Sequence, residues 1–350
     1  MPPFRIVTVD DSALFRMMLR NVIKEIPNCE LVASISDSTQ AAEQIESLTP
    51  DLVTLDVEMP EVDGIAVLRQ LKRRKVATKV IMISRFTTSG AQVTTDALIE
   101  GAFDFIVKPS TGNPTETKAL LLAELTERID ALREESSSET PPRPVPFQQS
   151  PSRGGEKKTS FGALLVGCST GGPDALAKLI PELPADLPVP VIVIQHMPEK
   201  FTSTLAARLD EASELTVVEA EDGMLLSPGK VILARGGKHL ELRRQGFSNI
   251  SVRLTDDPPE QRVRPAVDYT FRSAVSAFDQ PLLAVILTGM GRDGTLGCEL
   301  IHRNNGHVVV QAPDGCTVFG MPKSVLKAEL ADQVVPLEQM ARTVQNLLKT

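Results

Sequence analysis

A chain of 350 residues, 42% of them hydrophobic, has the length of two or three domains and enough apolar material to bury real cores. Its formal net charge of −8 argues against broad nucleic-acid binding. No apolar run approaches the roughly 18 residues that span a bilayer, and MPPFRIVTVDD runs straight into a strand pattern rather than a secretory leader.

The first part of the chain alternates short apolar runs with helical spacing. Phe4 to Val9, Leu31 to Ser34, Asp51 to Leu55, Lys79 to Ile83 and Phe103 to Val107 read as strands. Ser12 to Ile26, Thr39 to Leu48, Ile65 to Lys75, Gly90 to Glu100 and Thr117 to Arg133 read as helices. Five βα units imply a doubly wound parallel sheet. Such a sheet collects its strand ends at one edge, here Asp10, Asp11, Asp56, Ser84 and Lys108. Three carboxylates that close repel one another unless a hard divalent cation neutralises them, and oxygen ligands suit Mg²⁺. Ion and lysine could then hold a phosphoryl group on Asp56. The cluster Lys72-Arg73-Arg74-Lys75 reads as the solvated end of a helix.

Residues 134–160 are rich in serine, proline and charge and lack an apolar face, which predicts a semi-extended linker. Phe147 is its one large apolar residue and a hint of docking.

The second part opens with Phe161 to Val166, then Gly167-Cys168-Ser169-Thr170-Gly171-Gly172, then a helix from Pro173. Strand, glycine turn and helix would put Ser169 at a strand's C-terminal end, before a helix N-terminus that offers N–H groups to developing negative charge. The pattern G-x-S-x-G is short, and a structural or phosphate-holding turn would read the same way. Pro188 to Gln195, Val231 to Ala234, Leu282 to Thr288 and His307 to Gln311 are Val/Ile/Leu-rich runs that suggest parallel strands covered on both faces. Phe201 to Leu209 and Glu299 to Arg303 read as helical.

His196 and Asp293 each lie just past an apolar strand, so Ser169, His196 and Asp293 can meet above one sheet edge. A histidine within reach can take the serine proton, and a carboxylate can orient that histidine. Asp293 could also cap the helix near Thr295. The order Ser, His, Asp is not that of α/β-hydrolases. His239, His302 and His307 read as structural or solvated. The four cysteines, Cys29, Cys168, Cys298 and Cys316, form no C-x-x-C pair, so reduced cytosolic thiols are the plain reading. Cys168 reads as a packing residue rather than a nucleophile.

The segments VDDS, LDVEMPEVDG, MIS and GAFDFIVKP, across about residues 4 to 122, resemble a response-regulator receiver domain. The resemblance implies that Asp56 accepts phosphate from a histidine kinase. It implies Mg²⁺ held by Asp10, Asp11, Asp56 and the backbone carbonyl of Glu58, with Ser84 and Lys108 at the phosphate. Phe105 matches the aromatic that shifts between states, and Lys108-Pro109 would be joined by a cis peptide.

The segments GCSTGG, VIQHMP, VILARGGKHL, RPAVDYTFRSA, LTGMGRDG and VFGMPKSV, over roughly residues 160 to 348, resemble the catalytic domain of the CheB family of protein-glutamate methylesterases. This implies hydrolysis of glutamate methyl esters on methyl-accepting chemoreceptors, with methanol released, and deamidation of selected glutamines by the same site. It implies Ser169 as nucleophile, His196 as general base and acid and Asp293 as orienting acid, with no cofactor for the ester chemistry. The turns at Thr170 and Met290 are candidates to supply oxyanion N–H groups. Cys168, Arg235 and Val62 depart from the commoner residues of the two families without touching the triad.

The predicted layout is a five-stranded, flavodoxin-like receiver over residues 1–124, a helix end and linker over 125–159, and a doubly wound, mostly parallel α/β methylesterase domain over 160–350. The protein is expected to be cytoplasmic, peripheral to membrane receptors without inserting. Tethering a phosphorylatable switch to an esterase predicts autoinhibition by the unphosphorylated receiver, relieved by phosphate on Asp56. A binding scaffold with an inert Ser169 and a hydrolase of small metabolite esters are the rival classes.

Overall fold

The computed structural model describes residues 2–137, 160–246 and 249–349, in two compact units that divide after Ser137. The linker expected from residue 134 begins later, because the helix that starts at Pro114 runs on to Ser137; its remainder over 138–159, Phe147 included, lies outside the described residues.

The first unit runs β1 (Phe4–Val9), α1 (Ala13–Ile23), β2 (Cys29–Ile35), α2 (Ser38–Leu48), β3 (Leu52–Asp56), α3 (Gly64–Arg73), β4 (Lys79–Ser84), α4 (Thr88–Ile99), β5 (Asp104–Val107) and α5 (Pro114–Ser137). The sheet order is β2-β1-β3-β4-β5, with every pairing parallel. This is the expected doubly wound receiver. Its helices start where short polar side chains cap them: Ser12 accepts from Phe15 N–H, Asp37 from Thr39 N–H, Asp63 from Ala66 N–H and Thr87 from Gly90 N–H. β3 is buried along its whole length, as a central strand covered on both faces must be. One expectation is corrected. Lys108-Pro109 is not cis; the cis peptide among the described residues is Arg264-Pro265. The two isomers of an X–Pro bond differ by only about 0.5–1 kcal/mol, and in the trans form Lys108 already spans two carboxylates, described below.

The second unit runs β6 (Leu164–Cys168), α6 (Gly172–Leu179), β7 (Val191–Gln195), α7 (Phe201–Ala212), β8 (Thr216–Glu219), β9 (Lys230–Leu233), β10 (His239–Gln245), β11 (Asn249–Thr255), α8 (Val267–Ala277), β12 (Leu283–Ile286), α9 (Thr295–Arg303), β13 (His307–Gln311), α10 (Met321–Lys327), β14 (Gln333–Val335) and α11 (Leu337–Lys349). Seven strands form one parallel sheet in the order β14-β13-β12-β6-β7-β9-β8, and β10 and β11 form an antiparallel ribbon beside it. The chain starts at the middle strand, β6, builds outward through β7, β8 and β9, then returns to the other flank through β12. The order therefore reverses between β6 and β12, the place where open α/β sheets bind ligands.

β6 lies two or three residues later than the apolar run Phe161 to Val166 suggested. Gly167 and Cys168 extend the strand because small side chains fit there. A Cβ on Gly167 would fall 2.7 Å from the Val267 side chain of α8, and Cys168 is fully buried. The nucleophile candidate thus follows directly on the last paired residue. The core of this unit layers Leu165, Ile192, Ile194 and Ile232 from the sheet against Phe271, Val267 and Ala274 from α8.

Candidate active site

β6 is hydrogen-bonded to β7 on one side and β12 on the other. Cys168 pairs with Gln195, so Ser169 and His196 leave neighbouring strands at the same level. Ser169 N–H donates to Thr288 O at 3.0 Å, which joins the serine turn to the end of β12, and His196 N–H donates to Cys168 O at 3.2 Å. Gly289 is required where it stands. A Cβ there would lie 2.8 Å from the Ser169 Cβ and would collide with the Met321 sulfur. The 289–291 turn therefore presses directly on Ser169, and Met290 N–H donates to no protein group among the described residues. Thr170 is buried, and its carbonyl accepts from the Thr288 hydroxyl at 2.9 Å.

His196 Nε2 lies 2.8 Å from Asp293 Oδ2. With the carboxylate ionised, Nε2–H donates to it, and Nδ1 keeps the lone pair that could accept a serine proton. Ser169 Oγ makes no hydrogen bond among the described residues, so the serine–histidine link is open in this conformation. Ser169 and His196 follow the paired residues Cys168 and Gln195, so the two side chains start from adjacent strand ends.

Asp293 is 3% exposed. Burial pushes its pKa up, but the His196 hydrogen bond and charge and the amides of Asp268 and Val267 outweigh it and hold the carboxyl below its ordinary value. Its two oxygens accept from Val267 N–H at 2.7 Å, Asp268 N–H at 2.9 Å and Gly294 N–H at 2.9 Å. These donors show that Asp293 caps α8, whose first amides it takes, and not α9, the helix that follows it in sequence.

Asp268 completes the exchange. From α8 it accepts Gly297 N–H of α9 at 2.8 Å and Gln261 Nε2–H at 2.8 Å. Each helix thus has its N-terminus capped by a carboxylate from the other helix or its approach. Asp268 is 1% exposed, and burial, reinforced by the nearby Asp293 charge, pushes its pKa up to about 6 against the pull of its amide donors. Sequence reasoning missed this residue. An acid in a helix's first turn reads as a dipole partner, and its burial beside a second carboxylate depends on two helices packing. Cys168 Sγ approaches Ile194 O, and burial pushes its thiol well up, which suits packing and not nucleophilic attack. His239 stacks on Tyr269 and bonds to Pro258 O, while His302 and His307 flank Asp332.

In the first unit, oxygens of Asp10, Asp11 and Asp56 lie within 4.8 Å of one another. Lys108 Nζ donates to Asp10 at 2.9 Å and to Asp56 at 2.7 Å, and sits over the Phe15 ring. Burial pushes Asp56 up to about 6 despite the lysine. An all-carboxylate donor set of this size fits a hard divalent cation. Glu58 N–H leans on Asp56 Oδ1 at 3.4 Å; Ser84 Oγ donates to the Arg85 and Gly90 carbonyls; Phe105 is buried. No helix among the described residues is long and apolar enough to cross a membrane.

The fold and sites define a class: a response regulator whose receiver is joined to a parallel α/β hydrolytic domain. A response regulator receiver domain family matches residues 6–119, and the CheB methylesterase family matches residues 164–344. A protein-glutamate methylesterase/protein-glutamine glutaminase of Thermotoga maritima is 41% identical over 334 residues, 95% of each chain, and that of Desulfotalea psychrophila is 36% identical over the whole of both chains. The crystal structure of the Thermotoga maritima CheB methylesterase catalytic domain is 43% identical and superposes with a TM-score of 0.52, covering 55% of this chain and 99% of that one. The chain belongs to the protein-glutamate methylesterase/protein-glutamine glutaminase family and is a receiver-linked enzyme of that family.

Proposed function

We propose that the chain hydrolyses γ-glutamyl methyl esters on methyl-accepting chemoreceptors, through Ser169, His196 and Asp293, and that phosphorylation of Asp56 activates it. The observation that supports this most is the 2.8 Å contact between a buried Asp293 and His196, with Ser169 on the neighbouring strand end.

Ser169 Oγ attacks the ester carbonyl while His196 Nδ1 takes its proton, and Asp293 stabilises the imidazolium. The oxyanion is met by N–H groups of the Met290 and Thr170 turns. The intermediate collapses, His196 hands its proton to the departing methoxide, and methanol leaves an acyl-enzyme on Ser169. Water then attacks, His196 takes its proton and returns it to Ser169, and glutamate is released. A glutamine side chain follows the same path with ammonia as leaving group, which accounts for deamidation.

In the receiver, Asp10, Asp11, Asp56 and the Glu58 carbonyl would hold Mg²⁺, which when bound supplies charge neutralisation for phosphoryl transfer. A histidine kinase is the phosphodonor. Lys108 and Ser84 contact the phosphoryl oxygens, and Ser84 and Phe105 shift with them. The phosphate adds nearly two negative charges, and we read this as relieving inhibition of the esterase by its own receiver. The test is methanol release from a methylated chemoreceptor by the full chain, with and without beryllofluoride and Mg²⁺. A rate that rises with beryllofluoride is expected. Absence of methanol would refute the substrate, and a rate unmoved by beryllofluoride would refute the regulation.

A further inference from the structure

Gln195 is the last residue of β7, one position before His196, and is 2% exposed. Its side chain crosses to the neighbouring strand end. Nε2 donates to Ser169 O at 3.0 Å and to His196 O at 3.2 Å. The two N–H groups of one amide are therefore spent on the carbonyls of the two residues that bear the hydroxyl and the imidazole. The amide can face only this way, because its oxygen turned toward two carbonyl oxygens would repel both. Ser169 O also accepts Gly172 N–H at 2.7 Å, so the plane of that peptide is held from two sides.

The other end of the amide shows what this arrangement costs. Gln195 Oε1 is buried with no hydrogen-bond partner among the described residues. It occupies the space where any Cβ on Gly172 would stand, so the second glycine of the turn serves to admit this amide. An aliphatic side chain of similar length would fill the same space without stranding a polar atom.

We infer that Gln195 is a positioning residue of the hydrolytic site: it ties the Ser169 and His196 peptides together and so fixes the approach of hydroxyl to imidazole. This rests on the Ser169 and His196 roles proposed above. The bridge acts equally in acylation and deacylation, because both pass protons between the same two side chains. Its side chain is buried and spent on backbone carbonyls, so ground-state binding should be spared.

The experiment uses the full chain carrying Gln195→Met, which keeps the length and removes both donors, and Gln195→Glu, which keeps the shape and replaces donors by an acceptor. Both are assayed for methanol release from methylated receptor, beside Ser169→Ala, with circular dichroism as a check on folding. For Gln195→Met, kcat should fall about 10- to 100-fold, the scale of a small misplacement of reacting groups, with KM within about twofold of wild type. For Gln195→Glu, the loss should shrink as pH falls, since a protonated carboxyl regains one donor, giving a pH profile that Gln195→Met lacks. Folded variants with unchanged kcat, a rise in KM alone, or loss of fold in both variants would overturn the inference, the last marking the amide as merely structural. If Ser169→Ala stays active, the serine mechanism itself fails; if it is inactive while the Gln195 variants are unimpaired, only the positioning role fails.

Discussion

Asp268 and Asp293 share one buried corner, yet their environments push them apart. Asp293 is held ionised by His196 and three amides, while Asp268 has two donors and a neighbouring negative charge. Asp268 therefore titrates near 6 in the folded chain, against an ordinary value of 3.8. Between those two values the folded state keeps a proton that the unfolded chain has lost, so this group's contribution to stability falls as pH rises through that window. Above about pH 6 the penalty is fully present. Asp268→Asn should accept Gly297 N–H as before and remove the titration. The difference in urea midpoint between Asp268→Asn and wild type should grow in the variant's favour from pH 4 to pH 6.5; a difference independent of pH would refute the shifted carboxyl. At this scale the residues at strand ends were legible in the sequence: Ser169, His196, Asp10, Asp56 and Lys108 stand where an apolar run stops, and Asp293 lies in the turn between β12 and α9. Asp268 and Gln195 were not. One lies inside a helix and the other inside a strand, and their roles exist only once separate segments pack.

The elements that carry the site are β6 with its turn and the β12 end that leans on it. Gly289 sets the distance between them, since a methyl there would meet the Ser169 Cβ at 2.8 Å. Gly289→Ala should therefore push the two strand ends apart and lower methanol release by about tenfold or more, with helix content retained; a rate within twofold of wild type would show that the contact gives way freely. The fully buried parallel strands declared themselves as Val/Ile/Leu runs. The ribbon β10–β11 did not, because segments such as Glu241-Leu242-Arg243-Arg244 carry charge on a surface that sequence pattern alone assigns to loop. α8 was hidden for a related reason. Its N-terminus at Ala266 has no side-chain cap of its own and takes Asp293 from far along the chain, so no local start signal existed to read.

Across the whole molecule, two units with separate sheets are joined in one chain, and each brings its own acidic or nucleophilic edge. The regulatory proposal links them by chemistry: charge placed on Asp56 must alter the rate at Ser169. Asp56→Asn should leave basal methanol release unchanged and abolish the response to beryllofluoride with Mg²⁺; a variant that still responds would place the switch elsewhere. The division into two α/β units was legible because each has its own strand series, and the composition of residues 134–160 separates them. The expected cis bond at Lys108-Pro109 shows the limit of reading by likeness, since the lysine reaches both carboxylates without it. The most direct measurement is the steady-state rate of methanol release from methylated chemoreceptor by full-length Ser169→Ala set against wild type, both shown to be folded. A loss of about 10⁴-fold or more is expected; a folded variant that keeps more than a few per cent of the wild-type rate would contradict a serine-based site.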